Sequence, residues 1–357
     1  MSAATVLPPL PGAPGGPHLP TVEELLDHAV AVSLPMTVRF RGTTRREALL
    51  LRGPAGWAEF SPFPEYGDQE SSRWLAAAIE AGWQGWPEAV RDAVPVNATV
   101  PAVEASDVEA VLERYGDGIA AVKVKVAEHG PGGGLVPGSH SADLARVRRV
   151  RELLPEAAVR VDANMGWTPE QAVEMLAELA DVRLEYAEQP VPGIEQLARV
   201  RRELRERGVD TRIAADEAVR KETDPLAVAA AGAADLIVVK VQPLGGVRRA
   251  AAIVQAAGLD AVVSSALDTS VGLAGGAALA AHLPRLPFAC GLGTGALFAQ
   301  DVCDPAWTPA CGVLPAPGVS APEPDPMLVD AVRADAETHA WWEQRVRGAH
   351  AVLAAQG

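Results

Sequence analysis

Five charged residues stand at the ends of short apolar runs: Lys125 in AVKVKV, Asp162 in VRVDAN, Glu188 in YAEQP, Asp216 in IAADE and Lys240 in LIVVKVQP. Successive positions lie about 37, 26, 28 and 24 residues apart. The common step is roughly one strand, one helix and two loops, the repeat of a (β/α)₈ barrel, which carries its chemistry at the C-terminal strand ends. Neighbouring strands are about 5 Å apart, so Asp162, Glu188 and Asp216 on consecutive strands would repel one another strongly. A divalent hard cation, Mg²⁺ above all, relieves that repulsion and leaves positions for water and substrate. Taken singly, each carboxylate could be a helix N-cap or a solvated loop residue; three on consecutive strand ends favour the metal.

Lys123 and Lys125 are two residues apart on one strand and point the same way. A lysine in an apolar strand is costly without a use or a carboxylate partner. Lys123 suits a structural ion pair within the substrate-facing set, while Lys125 and Lys240 face each other across the mouth. A lysine beside a metal and another cation has a lowered pKa and can serve as a general base. A metal can bind a substrate carboxylate, one lysine can remove the proton α to it, and the other can stabilise the enediolate. None of the seven histidines falls in an expected strand. His129, in a Gly-rich stretch, suits a solvated loop.

The elements that must position these groups follow from the apolar runs. Eight strands are expected: VNATV (96–100), AVKVKV (121–126), AVRVDA (158–163), VRLEYA (182–187), RIAADE (212–217), LIVVKV (236–241), AVVSSA (261–266) and PFACGL (287–292). Near-continuous apolar character suits parallel strands buried on both faces. Helical patterns lie between them, and Thr168-Pro169 is a good helix start. Ahead of the repeat, MTVRF and EALLLRG read as strands flanking an RGTTRR turn. WAEFSPFPEYG reads as an aromatic loop, and SSRWLAAAIEAGWQGWP as a helix ending near Pro87. The chain divides into a disordered lead-in (1–20), an α+β module (21–94), the barrel (95–300), and a C-terminal segment with a helix returning to the module (301–357). EHGPGGGLVPGSH (128–140) lacks the GK[ST] of a phosphate-binding loop and is expected to be a mobile loop at the barrel mouth.

Composition bounds the partners. Of 357 residues, 48% are hydrophobic and 22% charged, ordinary for a soluble globular protein. The formal net charge of -15 argues against nucleic acid and anionic membranes, but not against a small carboxylate substrate in a lysine-lined cleft. Cys290, Cys303 and Cys311 show neither a disulfide framework nor zinc spacing. The N-terminus lacks the features of a signal peptide, and no apolar stretch is long enough to span a membrane. A cytoplasmic location is expected. Oligomeric state is not legible.

Taken together, KVK, VDAN, EQP, ADE and VVKVQPLGG resemble the enolase superfamily in its muconate-lactonizing-type subgroup, over roughly residues 30 to 325. The resemblance implies a capping α+β domain, a modified (β/α)₇β barrel and one Mg²⁺, with Mn²⁺ as an acceptable substitute. It implies Asp162, Glu188 and Asp216 as metal ligands and Lys125 and Lys240 as the catalytic lysines. LPMTVRFRGTTRREALLLRGPAGWAEFSPFPEY and SSALDTSVGLAGGAALA are most similar to the actinobacterial branch of the subgroup. Its enzymes dehydrate a succinyl-hydroxycyclohexadiene carboxylate to the aromatic o-succinylbenzoate in menaquinone synthesis. On that likeness Lys125 removes the α proton and helps the hydroxyl leave, and Lys240 stabilises the enediolate. Asn164 would be a polar group binding the substrate directly, Ser264 and Ser265 would meet the succinyl carboxylate, and Phe63 in the cap's aromatic loop would either contact the ring or anchor the cap. The Gly-rich insert is longer than the family leads one to expect.

Rival readings remain at this stage. An N-succinylamino-acid racemase or dipeptide epimerase would use the same lysines on two faces of the α carbon. A Schiff-base aldolase also puts a lysine on a sixth barrel strand but has no need of three adjacent carboxylates. A non-catalytic barrel would tolerate loss of Lys125.

Overall fold

The computed structural model describes residues 7–40, 43–130, 134–219 and 224–356. Its N-terminal part is a three-stranded antiparallel sheet of β1 (Val30–Phe40), β2 (Thr43–Gly53) and β3 (Gly56–Phe60), in that order. Alternation along β2 sends Leu49 and Leu51 into the main core and Ala48 and Leu50 into a second cluster on the other face. Burial on both sides explains the uninterrupted ALLL run. Of the expected turn RGTTRR, Thr43 to Arg46 belong to β2, where Arg46 pairs with Leu34, and residues 41–42 lie outside the described residues. Likewise WAEF is strand β3, paired with β2, and the loop begins only at Ser61. The cap helix runs from Asp68 to Ile79. It starts ahead of the Ser pair, with Asp68 and Glu70 in its first turn, where carboxylates favour the helix dipole. A turn of π-helix, Glu80–Gln84, extends it.

A short strand β4 (Ala93–Pro95) leads into β5 (Ala98–Val100), β6 (Ala121–Lys125), β7 (Ala158–Asp162), β8 (Tyr186–Glu188), β9 (Arg212–Ala215), β10 (Leu236–Val239) and β11 (Asp260–Val263). β5 to β11 form one parallel sheet in sequential order, with helices on the connections. The fourth repeat strand is shorter than VRLEYA because Val182 ends a 3₁₀ turn and Arg183 is left-handed, φ 55°. The expected eighth strand, PFACGL, reduces to two parallel bridges. Cys290 meets Val96 and Gly291 meets Ser264, one on each edge of the sheet. The Cys290 amide donates to the Pro95 carbonyl at 2.7 Å and the Gly291 amide to that of Val263 at 2.8 Å. Two residues thus join the edges and close the barrel.

The C-terminal segment adds β12 (Val313–Pro315), antiparallel to β4, and a helix, Ala336–Ala354, that packs on the cap helix. Trp342, Val346, Ala349 and Leu353 are its buried face. Trp342 meets Phe60 edge to face at 5.8 Å. A Cβ at Gly348 would fall 2.5 Å from Asp68 Oδ1, so this glycine permits the close approach. Residues 7–20, expected to be disordered, are instead laid against the fold. Leu10 is buried, Arg249 donates to the Pro8 carbonyl, and the His350 ring bonds that of Pro20 at 2.9 Å. Apolar Leu10 gives this Pro-rich segment a core contact its composition conceals. The rest of the lead-in, 1–6, lies outside the described residues, as do 131–133 of the Gly-rich stretch. The flanks of that stretch pair with each other, Val136 donating to Glu128 at 2.9 Å. Among the described residues no helix is long and apolar enough to cross a membrane.

Candidate active site

Parallel register brings the charged strand ends to one level. Lys125 on β6 pairs with Asp162 on β7, and Asp162 with Glu188 on β8. Glu188 is level with Ala214 on β9, which puts Asp216 two residues further toward the mouth. Lys240 follows β10 directly, four strands round the barrel from Lys125. Lys125, Asp162, Asp216 and Lys240 border a cavity of about 670 Å³ at the C-terminal strand ends, and Glu188 lies buried behind Lys123. Phe63, Tyr66 and Trp74 of the cap form its apolar side.

Each lysine is matched to a carboxylate. Lys123, buried, donates to Glu188 Oε1 and Oε2 at 2.9 and 3.1 Å and lies 3.2 Å from Asp162. Lys125 Nζ is 2.5 Å from Asp162 Oδ2 and 2.7 Å from Asn164 Oδ1, and Lys240 bonds Asp216 Oδ1. Burial works against the charge on Lys123, but Glu188 and Asp162 outweigh it and hold the ammonium well above its usual range. Burial also pushes Asp162 up, and there Lys125 and Lys123 prevail, so this carboxyl sits well below the usual carboxylate range. Glu188 goes the other way: burial, with Asp162 beside it, pushes it up to about 7. Lys123 is shared with Asp162, so Glu188 receives less than a full counter-charge. Burial and Asp216 raise Glu217 as well. Four carboxylates thus gather against three lysines. Among the described residues no three of them close on one point as a metal cage would: Asp162, Glu188 and Asp216 turn toward lysine ammonium groups, and Glu217 toward the Asn164 amide.

The remaining expected residues divide. Ser264 and Ser265 border the cavity, and Ser265 Oγ bonds Thr294 Oγ1 at 2.6 Å. A Cβ on Gly291 would lie 2.6 Å from Ser264 Oγ, so the closing seam needs a glycine there. Asn164 acts one step back. Its φ of 44° turns the amide so that Oδ1 accepts from Lys125 while Nδ2 donates to Glu217 Oε1 at 3.0 Å. Phe63 borders the cavity and is also stacked. Arg46 lies 4.5 Å above its ring centre, and Tyr66 and Trp74 meet it edge to face at 5.9 and 6.0 Å.

Sequence reasoning missed Thr294, Glu217 as a cavity residue, and the buried Arg46. Glu217 was visible as the second acid of ADE. The burial of Arg46 carried no signal, because its partners are backbone carbonyls: Ser61 at 2.5 Å, Leu267 at 3.1 Å and Ala266 at 3.3 Å.

Comparison with known proteins is consistent with this geometry. Residues 31–82 match the enolase N-terminal domain-like family and residues 105–322 the enolase C-terminal domain-like family. The o-succinylbenzoate synthase of Mycobacterium tuberculosis (strain H37Rv) is 48% identical over 338 residues, 94% of this chain and 98% of that protein. That of Thermobifida fusca is 50% identical over 294 residues, 82% of this chain and 88% of that protein. In fold, the chain is similar to the muconate lactonizing enzyme of Pseudomonas putida, with a TM-score of 0.67 at 20% identity, covering 86% of this chain and 98% of that one.

Proposed function

The chain belongs to the enolase superfamily, among its o-succinylbenzoate synthases, and on that premise we propose that its cavity dehydrates 2-succinyl-6-hydroxy-2,4-cyclohexadiene-1-carboxylate to o-succinylbenzoate. The observation that carries the reading at residue level is the pair of lysines facing each other across the cavity, each hydrogen-bonded to a strand-end carboxylate. In the neutral form Lys125 takes the proton α to the ring carboxylate. The electron pair left behind expels the ring hydroxyl, and the same ammonium group returns its proton to that oxygen. Water leaves, the ring becomes aromatic, and Lys125 ends neutral as it began. Asn164 fixes the Lys125 amine through Oδ1 and is itself held by Glu217. Lys240 remains an ammonium group and balances the negative charge that grows while the proton is away. The apolar side formed by Phe63, Tyr66 and Trp74 excludes water from the ring. Ser264 and Ser265 offer hydroxyls to the succinyl carboxylate.

The donor set suits a divalent hard cation, Mg²⁺ first and Mn²⁺ as a substitute. It is all oxygen, and the raised Glu188 carboxyl marks an excess of negative charge that a cation would relieve. Asp162, Glu188 and Asp216 would hold it, and when bound it supplies positive charge to the substrate carboxylate. A turnover assay with the cyclohexadiene substrate, before and after exhaustive chelation, tests the reading. Dehydration that survives chelation in full removes the metal from it, and failure to turn over the substrate with Mg²⁺ present removes the assignment. The lysines on opposite sides also suit a second reading, racemisation of N-succinylamino acids, in which Lys240 would give and take protons.

A further inference from the structure

Behind Lys240 lies a buried polar cluster that the chemistry above does not use. Glu59, on β3 of the cap, is 4% exposed and spans the junction with the barrel. Its Oε1 accepts from Ser61 Oγ at 2.5 Å, and its Oε2 from the Thr269 amide at 2.9 Å and hydroxyl at 2.6 Å. Gln242, 6% exposed, sits two residues beyond Lys240 in a single helical turn, Val241–Leu244, for which Lys240 is the N-terminal flanking residue. Its Nε2 donates to Asp268 Oδ1 at 2.9 Å, Ser61 Oγ at 3.2 Å and Glu59 Oε1 at 3.4 Å. Its Oε1 is buried without a hydrogen-bond partner among the described residues. The flipped amide would turn that oxygen on two carboxylates, so they dictate which way Gln242 faces. Room for Glu59 is reserved by Gly272, where a Cβ would come within 2.7 Å of Oε2. Arg46 supplies the local positive charge, held by the Ser61, Ala266 and Leu267 carbonyls.

A surplus of buried carboxylate is costly to maintain, and apolar packing would join cap to barrel at less expense. What the polar cluster adds is direction: hydrogen bonds fix one orientation of the Lys240 turn where apolar contacts would accept several. We propose that Glu59 is a positioning residue for Lys240, acting from the cap through Gln242 and Asp268 on the turn that carries the lysine. The site is then complete only when the cap is seated, and β3 reports its seating to the sixth strand end.

This rests on the function proposed above, and the test separates the two. Wild-type turnover of the cyclohexadiene substrate tests the function; ratios of variants to wild type test the link. If the wild type proves inactive on that substrate, the same ratios are read from deuterium uptake at the α carbon of N-succinylphenylalanine in D₂O. Glu59→Gln and Gln242→Leu are each expected to lower kcat at least tenfold, with KM within threefold and the melting temperature at pH 8 within a few degrees. The double variant should be no slower than the slower single one, since both act through one link. Full kcat with a lowered melting temperature would make the cluster merely structural, and losses that multiply would make the two residues independent. Ser61→Ala removes one hydroxyl from the link and serves if the others fail to fold. It is expected to lower kcat about threefold, and unchanged kcat in it overturns the proposal.

Discussion

At the scale of single residues, the proposed function gives the two lysines different tasks, and charge-preserving substitutions separate them. Arginine keeps the cation but offers no usable base near neutral pH. Lys125→Arg should therefore abolish dehydration and every α-proton exchange. Lys240→Arg should leave measurable dehydration and abolish exchange from its own face. Near-normal dehydration in Lys125→Arg with loss in Lys240→Arg would reverse the assignment. Asp216→Asn should weaken Mg²⁺ binding at least tenfold by calorimetry, independently of turnover, because it removes one charge from an all-oxygen donor set. These residues were legible because a charged group ending an apolar run is rare and its repeat spacing is fixed by the barrel. Lys123 was legible as an ion pair for the same reason. Asn164 was legible as a polar neighbour, but its task was not. Only its left-handed backbone turns it from the cavity toward Lys125 and Glu217.

At the scale of elements, parallel strands announced themselves through apolar runs, while their ends depended on neighbours. PFACGL has the composition of a full strand, yet only Cys290 and Gly291 bridge, since two sheet edges compete for the same short segment. Gly291→Ala brings a Cβ within 2.6 Å of Ser264 Oγ. Overpacking of this kind costs roughly 1–3 kcal/mol, so a lower melting temperature and reduced turnover are expected together. Unchanged values of both would mean that the seam yields easily. The cap's turn was misjudged because Arg46 looks like a surface residue until its carbonyl partners are in view. Phe63 illustrates the limit of the aromatic-loop reading, which allowed a lid or an anchor. Stacked under Arg46 and against Tyr66 and Trp74, and also bordering the cavity, it is placed for either task. Phe63→Ala is expected to lose about 2 kcal/mol, below the 3–5 typical of a fully buried ring, and to raise KM several-fold. An unchanged melting temperature would leave only the lid.

At the scale of the whole molecule, the cap–barrel junction should make stability depend on pH. Burial, with Asp268 next, pushes the Glu59 carboxyl up to about 7. Below the ordinary value of 4.5 the group is protonated both folded and unfolded, and contributes nothing. Between 4.5 and 7 the unfolded chain releases a proton that the folded chain keeps, so stability falls as pH rises; above 7 the loss is constant. Its ceiling is on the order of 3 kcal/mol at 1.36 per pKa unit. Glu59→Gln cannot titrate, so its melting temperature should fall less than that of the wild type between pH 5 and pH 8. Parallel falls in the two proteins would show that Glu59 contributes no such dependence.

The helix that seats the cap is made long after the cap itself. Arg345 on it donates to the Phe63, Pro64 and Tyr66 carbonyls at 3.0 to 3.2 Å, and Trp342 covers Phe60. Between the end of the cap helix at Ile79 and the start of its partner at Ala336 the ribosome must add about 257 residues. At roughly 5–20 residues per second that takes on the order of 13 to 50 seconds. For that interval Phe60 lacks the ring of Trp342 and the cap helix lacks its partner helix. Nascent chains arrested before Ala336 should therefore be captured by chaperones and cut by protease near Phe60, and chains that include Ala336–Ala354 should resist both.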